Sequence, residues 1–469
     1  MKFTMRTGLF ATLLLLIFSF FALNGSDRPN IILCMADDQG WEEVGYYGHS
    51  VLKTPTLDKM AESGLRLDRF YSAAPNCGPT RGSIMTGRHP NRFGLFGPNW
   101  AMRPEEITLG RLIKSAGYAT GHFGKWHLGP VKAGAPNNPG YAGFDEWLSH
   151  DNFFEMDPVL VRNGEPPEKH LGESSKIVVD AAIDFIKRAN DKEQPFFTII
   201  WFGSPHGPYI ATPEDRALYE GKVPDELADR YGEITAMDRA IGMLRDTLRQ
   251  EGVADNTLFW FCSDNGVPGG STYQPTLKGS KGQLHEGGVR VPAIIEWPAK
   301  ITKPRATSVR AVTTDMLPTF CELLNIPLPN RTLDGISLVD LIEGEMKERP
   351  SPIAFWKYDS SKEKQGELWL PADIQLGTTP TVRNPGIEFL NYKHPVAKTE
   401  NFGGEASLLG NRYKLVLPKK GTVELYDLLN DKSEEVNLAE SNPQIVKMMT
   451  RQLHEWQASV EFSLSGADY

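Results

Sequence analysis

Two acidic groups stand out for where they fall along the chain. The apolar run Asn30-Ile31-Ile32-Leu33-Cys34-Met35-Ala36 ends in Asp37-Asp38, and a second run, residues 257–262, ends in Ser263-Asp264-Asn265. Both runs read as β-strands, and in an open parallel sheet the strand C-termini converge on one edge, where ligands bind. The two strands therefore deliver Asp37, Asp38, Asp264 and Asn265 to one place as hard oxygen donors. Without the His or thiolate spacing of a zinc site, such a set suits calcium or magnesium. Alone, Asp37-Asp38 would serve a turn or a helix cap equally well; the second strand favours the cation.

Other strand-like runs bring basic groups to the same edge. Residues 118–123 lead into Gly124-Lys125-Trp126-His127, and residues 196–202 lead into Ser204-Pro205-His206-Gly207-Pro208. Lys125, two residues before His127, points the same way from an extended segment. His49, His122, His170, His394 and His454 lack such company and read as structural. Of the four cysteines, Cys34 and Cys262 lie in strand-like runs and Cys321 in a helix-like run, where each is a small buried hydrophobe. Cys77 alone sits in a polar loop. Pro79 suits the first turn of a helix that would place Arg81 on the same face as Cys77, with the positive end of the helix dipole at an anion site. From these residues alone Cys77 is either a free loop thiol or a thiol nucleophile.

The positioning elements follow from periodicity. Up to about residue 342 apolar β-rich runs alternate with helix-period segments at 56–63, 105–115, 174–190 and 225–250, the pattern of an α/β fold. The expected fold is a large, mostly parallel, mixed sheet flanked by helices. In the segment 174–190, Ser174 or Ser175 is the expected cap, and Val178, Ala181, Ala182, Phe185 and Ile186 form one apolar stripe. After Gly344 the charge density rises and Pro350 and Pro352 interrupt; runs at 353–356 and 412–417 precede a helix over about 443–460. This marks a smaller C-terminal α+β subdomain with a short antiparallel sheet. The expected division is a signal peptide at 1–25, a catalytic domain at 27–345 and a C-terminal subdomain at 346–469.

The segment Cys77-Gly78-Pro79-Thr80-Arg81-Gly82-Ser83-Ile84-Met85-Thr86-Gly87-Arg88 resembles the signature of the type I, formylglycine-dependent sulfatases, arylsulfatase-like members of the alkaline phosphatase superfamily. Five further motifs match in that family's order. They are Pro29-Asn30-Ile31 with Asp37-Asp38; Gly124-Lys125-Trp126-His127-Leu128-Gly129; Pro205-His206-x-Pro208; Ser263-Asp264-Asn265-Gly266; and Lys281-Gly282-x-x-x-Glu286-Gly287-Gly288-x-Arg290-x-Pro292. The resemblance implies that a formylglycine-generating enzyme oxidises Cys77 to the aldehyde 3-oxoalanine, whose hydrate is the nucleophile. It implies calcium held by Asp37, Asp38, Asp264 and Asn265 with residue 77 completing the shell. It also implies that Arg81, Lys125, His127, His206 and Lys281 surround nucleophile and sulfate. Ser149, in Leu148-Ser149-His150-Asp151, matches the family's sulfate-contacting serine over a shorter stretch. On these residue types Asp264 accepts the nucleophile's proton, Arg81 and His127 steer and deprotonate the hydrate, Lys125 and Lys281 clamp sulfate, and His206, alone or with Lys281, protonates the leaving group.

Composition narrows the partners. With 50 basic and 59 acidic residues in 469, a net charge of -9 and no basic tail, the chain lacks a nucleic-acid binder's footprint. An anionic substrate must meet local positive charge in a cleft. Lys2 and Arg6 precede an apolar run from Leu9 to Leu23, with Ala22, Asn24, Gly25 and Ser26 near the cleavage point. This is the pattern of a signal peptide for export to the periplasm or beyond, without a stable membrane anchor. The expected activity is removal of sulfate from a sulfated carbohydrate, as in polysaccharide degradation. A phosphodiester or phosphonate hydrolase of the same superfamily, or a non-catalytic sulfoglycan-binding protein, are the alternatives. Arg88, His89, Arg92, His150, Asn152, His285 and part of residues 360–404 are the expected outer pocket.

Overall fold

The computed structural model describes residues 28–270, 275–359, 366–381, 385–394 and 403–469; the expected signal peptide lies outside them. In chain order the strands are β1 (Asn30–Ala36), β2 (Leu65–Leu67), β3 (Phe70–Tyr71), β4 (Ala119–Lys125), β5 (Glu146–His150), β6 (Val159–Arg162), β7 (Glu168–Lys169), β8 (Phe196–Trp201) and β9 (Thr257–Ser263). They continue as β10 (Arg290–Val291), β11 (Ala293–Glu296), β12 (Arg305–Thr307), β13 (Ala311–Val312), β14 (Ile353–Tyr358), β15 (Gly404–Leu409), β16 (Tyr413–Leu417) and β17 (Glu424–Asp427). Ten of them form one mixed sheet in the order β12-β2-β11-β9-β1-β8-β4-β5-β6-β7. Its middle, β9-β1-β8-β4-β5, is parallel throughout, as the alternation of strand and helix patterns implies.

Both faces of that middle are buried, which is why β1 is apolar at every position from Ile31 to Ala36 rather than at every second one. Ile31, Leu33 and Met35 face a layer holding the helices Cys77–Thr86, Leu109–Ser115 and Met316–Leu323, while Ile32, Cys34 and Ala36 face the helices Pro55–Ser63, Ser174–Asn190 and Asp225–Gln250. All four cysteines are buried and unbridged. Among the described residues no helix is long and apolar enough to cross a membrane.

Helix ends depart from expectation where capping intervenes. The helix expected from residue 105 starts at Leu109, because Thr108 stays extended and its hydroxyl accepts the Arg111 N–H. Glu173, not Ser174 or Ser175, caps Ser174–Asn190: its carboxylate accepts the N–H groups of Ser175 and Lys176, both at 2.8 Å. The last helix runs on to Leu464, since Val460 and Leu464 continue the buried stripe begun by Met449 and Leu453.

Strands β14, β15, β16 and β17 form a separate antiparallel sheet. One of its faces packs on Tyr71, Leu284, Val289 and Val312 of the larger part, and the other packs on the last helix through Met449, Leu453 and Val460. The small sheet is thus wedged between that helix and the segment that carries Lys281.

The Ser174–Asn190 helix offers a direct check of the layer packing. Phe185, 5% exposed with its ring 5.8 Å from that of Phe123, should cost about 3–5 kcal/mol when changed to Ala. Lys187→Ala on the exposed face should change stability by less than about 0.5 kcal/mol; urea unfolding of both variants measures the contrast.

Candidate active site

Register explains why the acidic groups meet. Ala36 of β1 pairs with Ser263 of β9, so Asp37 and Asp264 leave adjacent parallel strands side by side. Across β8, Gly124 of β4 pairs with Trp201, and Lys125 pairs with His150 of β5. Lys125 therefore ends its strand, and His127, His206, Asp37 and Asp264 follow strand ends, all on one edge. Asp38 and His127 both have left-handed backbones, with φ of 69° and 57°. They are held by hydrogen bonds from the Asp38 N–H to Asp264 Oδ1 (3.0 Å) and from the His127 N–H to the Asp151 carbonyl (3.1 Å).

Cys77 is the first residue of its helix, as Pro79 suggests, and is buried. Its sulfur and one oxygen each of Asp37 and Asp264 lie within 4.8 Å of one another. Arg81, on the next turn, donates to Asp264 Oδ2 at 2.7 Å and to the Lys125 carbonyl at 3.0 Å, with its guanidinium over the Trp201 ring. Gly78 lets the His127 backbone approach: a Cβ there would stand 3.1 Å from the His127 carbonyl oxygen. Lys125 donates to Asp37 Oδ2 at 2.6 Å, Lys281 lies 2.6 Å from Asp38 Oδ1, and His206 Nε2 is 3.7 Å from Asp38 Oδ2. Phe153 stacks on the His206 ring at 4.1 Å. The Ser149 hydroxyl is 2.8 Å from His122 Nδ1, in the interior beside Trp126 and Trp201.

The charges are unevenly satisfied. Burial opposes ionisation of Asp38, but Lys281, His206 and Lys125 outweigh it and hold the carboxyl well below the usual carboxylate range. Burial and then the charge of Asp37 push Asp264 up to about 6, against the pull of Arg81. Burial raises the Cys77 thiol despite Lys125 and Lys281, so an unmodified Cys77 is not poised as a thiolate. Burial also holds His206 down to about 3 and, with Lys125 and Arg81, pushes His127 well below its ordinary value. Both rings are neutral near pH 7.

A hard dication fits this donor set. Three buried carboxylates converge, with the Asn265 amide nitrogen donating to Asp38 Oδ1 at 2.7 Å, and Asp37 Oδ1 and Asn265 Oδ1 are both buried without a hydrogen-bond partner. Orphaned buried oxygens in so acidic a setting suit a hard cation.

One supporting pair went unread in the sequence. Arg230 is fully buried, donates to both oxygens of Glu43 (2.7 and 2.6 Å), and also donates to the carbonyls of Asp38 (2.7 Å) and Pro205 (2.9 Å). It ties the Asp38 turn to the His206 loop. Its signal was an arginine on the apolar stripe Leu227, Tyr231, Ile234 of the Asp225–Gln250 helix.

The edge opens into a cavity of about 550 Å³ lined by His206, Tyr209, Glu226, Asp229 and Lys281, among others. Arg88, His89, Arg92, His150, Asn152 and His285, expected in the outer pocket, are not among its lining residues. Arg88 pairs with Glu106 and Asp468, Arg92 with Asp334, and His285 with Glu424. Arg88 and Arg92 were drawn away because residues 88–93 pack under the last helix, where Arg92 also donates to the Ser459 carbonyl. From the 360–404 region, Thr378 and Thr379 dock on Asp151, close to the end of β5.

A family model described as Sulfatase matches residues 29–326. N-acetylgalactosamine-6-sulfatase of Homo sapiens is 33% identical over 378 residues, 71% of this chain and 69% of that protein. Arylsulfatase A of Homo sapiens is 32% identical over 70% of each. Among solved structures, Ps i-CgsB in complex with k-i-k-neocarrahexaose superimposes with a TM-score of 0.76 at 26% identity, over 94% of this chain and 98% of that one.

His89, beside the Cys77 helix but outside the cluster, carries a pH signature. Burial, against the pull of Asp334, holds it down to about 3, so the folded chain keeps it neutral while the unfolded chain protonates it below about 6.5. Its contribution is therefore lost as pH falls from about 6.5 towards about 3. His89→Asn retains an acceptor for the Asn91 N–H and cannot titrate. Between pH 6.5 and pH 5 the parent should lose about 2 kcal/mol more stability than this variant in urea unfolding; equal losses would contradict a buried neutral ring.

Proposed function

The chain belongs to the sulfatase family and is a sulfuric ester hydrolase, and from that premise we propose that it removes sulfate from a sulfated carbohydrate through a formylglycine made from Cys77. The observation that carries this reading is the convergence of Cys77 with Asp37 and Asp264 at an edge that also holds Arg81, Lys125, His127, His206 and Lys281. A sugar as the leaving alcohol is supported by the polar cavity beside His206 and Lys281. It is also supported by the similarity to a protein named for N-acetylgalactosamine-6-sulfate and to one solved with an oligosaccharide. The proposed setting is an exported protein in the periplasm or outside the cell.

Asp37, Asp38, Asp264 and Asn265 would hold calcium, which when bound supplies a Lewis acid for charge on a sulfonyl oxygen. The remaining work falls to the chain. Oxidation of Cys77 by a formylglycine-generating enzyme leaves an aldehyde whose hydrate offers two hydroxyls at the start of the helix. One hydroxyl attacks sulfur and passes its proton to Asp264, while the ester S–O bond breaks and the leaving alcohol takes a proton from His206. His206 is neutral in the open cleft, and the charge of an arriving sulfate ester, beside Lys125 and Lys281, favours its protonated form. Neutral His127, steered with Arg81 against the helix start, accepts the proton of the second hydroxyl. The bond from carbon to the sulfate oxygen then breaks, sulfate leaves and the aldehyde returns. A serine in place of the hydrate would end as a stable sulfate ester. Ser149, engaged by His122, is proposed to reach sulfate only by turning its hydroxyl from that partner.

Three measurements test this. Mass spectrometry of the peptide containing residue 77 should find the aldehyde, and the protein should release sulfate from an aryl sulfate with a higher kcat/KM than it shows for an aryl phosphodiester. Asp264→Asn and Arg81→Ala should each lower kcat by about a hundredfold or more with residue 77 still oxidised. A phosphodiester preference would reassign the reaction, and a thiol at residue 77 with full activity would remove the proposed nucleophile.

A further inference from the structure

Lys281 pins Asp38, yet the chain around it has little regular structure. Residues 277–285 are turns and bends, followed by the single helical turn Glu286–Val289, and Gly279 and Gly282 both have left-handed φ angles. What fixes this segment comes from the small C-terminal sheet, each of whose strands reaches it with a charged side chain. Lys357 of β14 donates to the Gly282 carbonyl at 2.7 Å, and Glu405 of β15 accepts the Leu284 N–H at 3.3 Å. Glu424 of β17 accepts from Lys278 at 3.1 Å and lies 2.8 Å from His285 Nε2.

Lys414 of β16 goes deepest. Its ammonium lies 3.0 Å from the carboxylates of both Glu286 and Glu434, and a Glu434 oxygen accepts the Glu286 backbone N–H at 2.7 Å. Glu286 also accepts from the Tyr71 hydroxyl at 2.9 Å and lies 3.5 Å from Arg290. Lys414, Glu286 and Glu434 are each at most 1% exposed. A charge so fully removed from water is tolerated only while its partners stay in place, so the cluster has one favourable arrangement.

On its other side the segment is joined to the reactive edge. The Lys281 N–H donates to the Val267 carbonyl and the Gly282 N–H to the Pro75 carbonyl, both at 2.8 Å. A Cβ on Gly266 would lie 1.8 Å from the Gly287 carbonyl oxygen, so the turn after Asn265 and the Glu286 turn are in direct backbone contact. A shift of Glu286 is thereby passed both towards Asn265 and towards the loop before Cys77.

We infer that Lys414 is a positioning residue for the hydrolysis: by clamping Glu286 and Glu434 it sets where the Lys281 ammonium stands. It touches no substrate. The inference rests on the reading of Lys281 as a sulfate clamp.

The test uses the full mature chain, with rates expressed per aldehyde-bearing centre. Lys414→Met should lower kcat/KM for an aryl sulfate about tenfold to a hundredfold and raise the inhibition constant of inorganic sulfate. In a Lys281→Ala background the same change should add less than about a twofold loss, because both remove one interaction. If Lys414→Met does not fold, Glu434→Gln, which removes one of the two charges facing Lys414, carries the same comparison. A rate and a sulfate inhibition constant within about twofold of the parent, or equal losses in both backgrounds, would overturn the inference. If Lys281→Ala is damaging and the Lys414 variant is not, this inference alone falls. If Lys281→Ala itself leaves rate and inhibition unchanged, the sulfate-clamp reading falls and takes the inference with it.

Discussion

Three carboxylates and an amide are forced together where two adjacent parallel strands end, and everything around them answers that crowding. Like charges less than 5 Å apart repel by roughly 3–4 kcal/mol at an effective dielectric of about 20. Lys125, Lys281 and Arg81 each reach one of these carboxylates directly, and Asp264 is still left with a raised pKa. The residual imbalance suits the edge to a cation. With a dication held among the carboxylates, the same three basic groups would leave a local positive field for an anion despite the acidic balance of the whole chain. The proposed cation and anion sites would thus be two consequences of one arrangement.

Holding that arrangement requires support from distant parts of the chain. Arg230, from a helix on one face of the large sheet, fastens the Asp38 turn to the His206 loop. The small C-terminal sheet holds the irregular segment that carries Lys281, and the last helix packs on the far side of that sheet. The reactive edge is therefore assembled from both ends of the described chain. A smaller C-terminal unit that merely followed the larger one would leave Lys281 without a fixed position.

Much of this could be read in the residues. The central strands were marked by apolar runs whose ends carried polar groups, and β1 matches its expected bounds because burial on both faces leaves little ambiguity in where it stops. The small antiparallel sheet was marked by short runs after Gly344, and the mixed character of the large sheet appears at β11 and β6, which pair antiparallel with their neighbours. Other features were not legible, for identifiable reasons. Glu173 outcompetes the serines as a cap because its longer carboxylate reaches two N–H groups, which spacing alone does not reveal. Arg88 and Arg92 look like free cations in sequence; the acids that claim them, Glu106, Asp334 and Asp468, are brought near only by tertiary packing. The Lys414, Glu286 and Glu434 cluster is invisible for the same reason, its members being separated by up to 148 positions.

Whether the strand-end carboxylates form one hard-cation site facing residue 77 is tested most directly by calorimetric titration of chelator-treated protein with calcium. The expected result is one ion bound per chain, with binding lost in Asp37→Asn and in Asp38→Asn although both variants remain folded. Absence of binding to the folded parent, or binding untouched by either substitution, would contradict the claim.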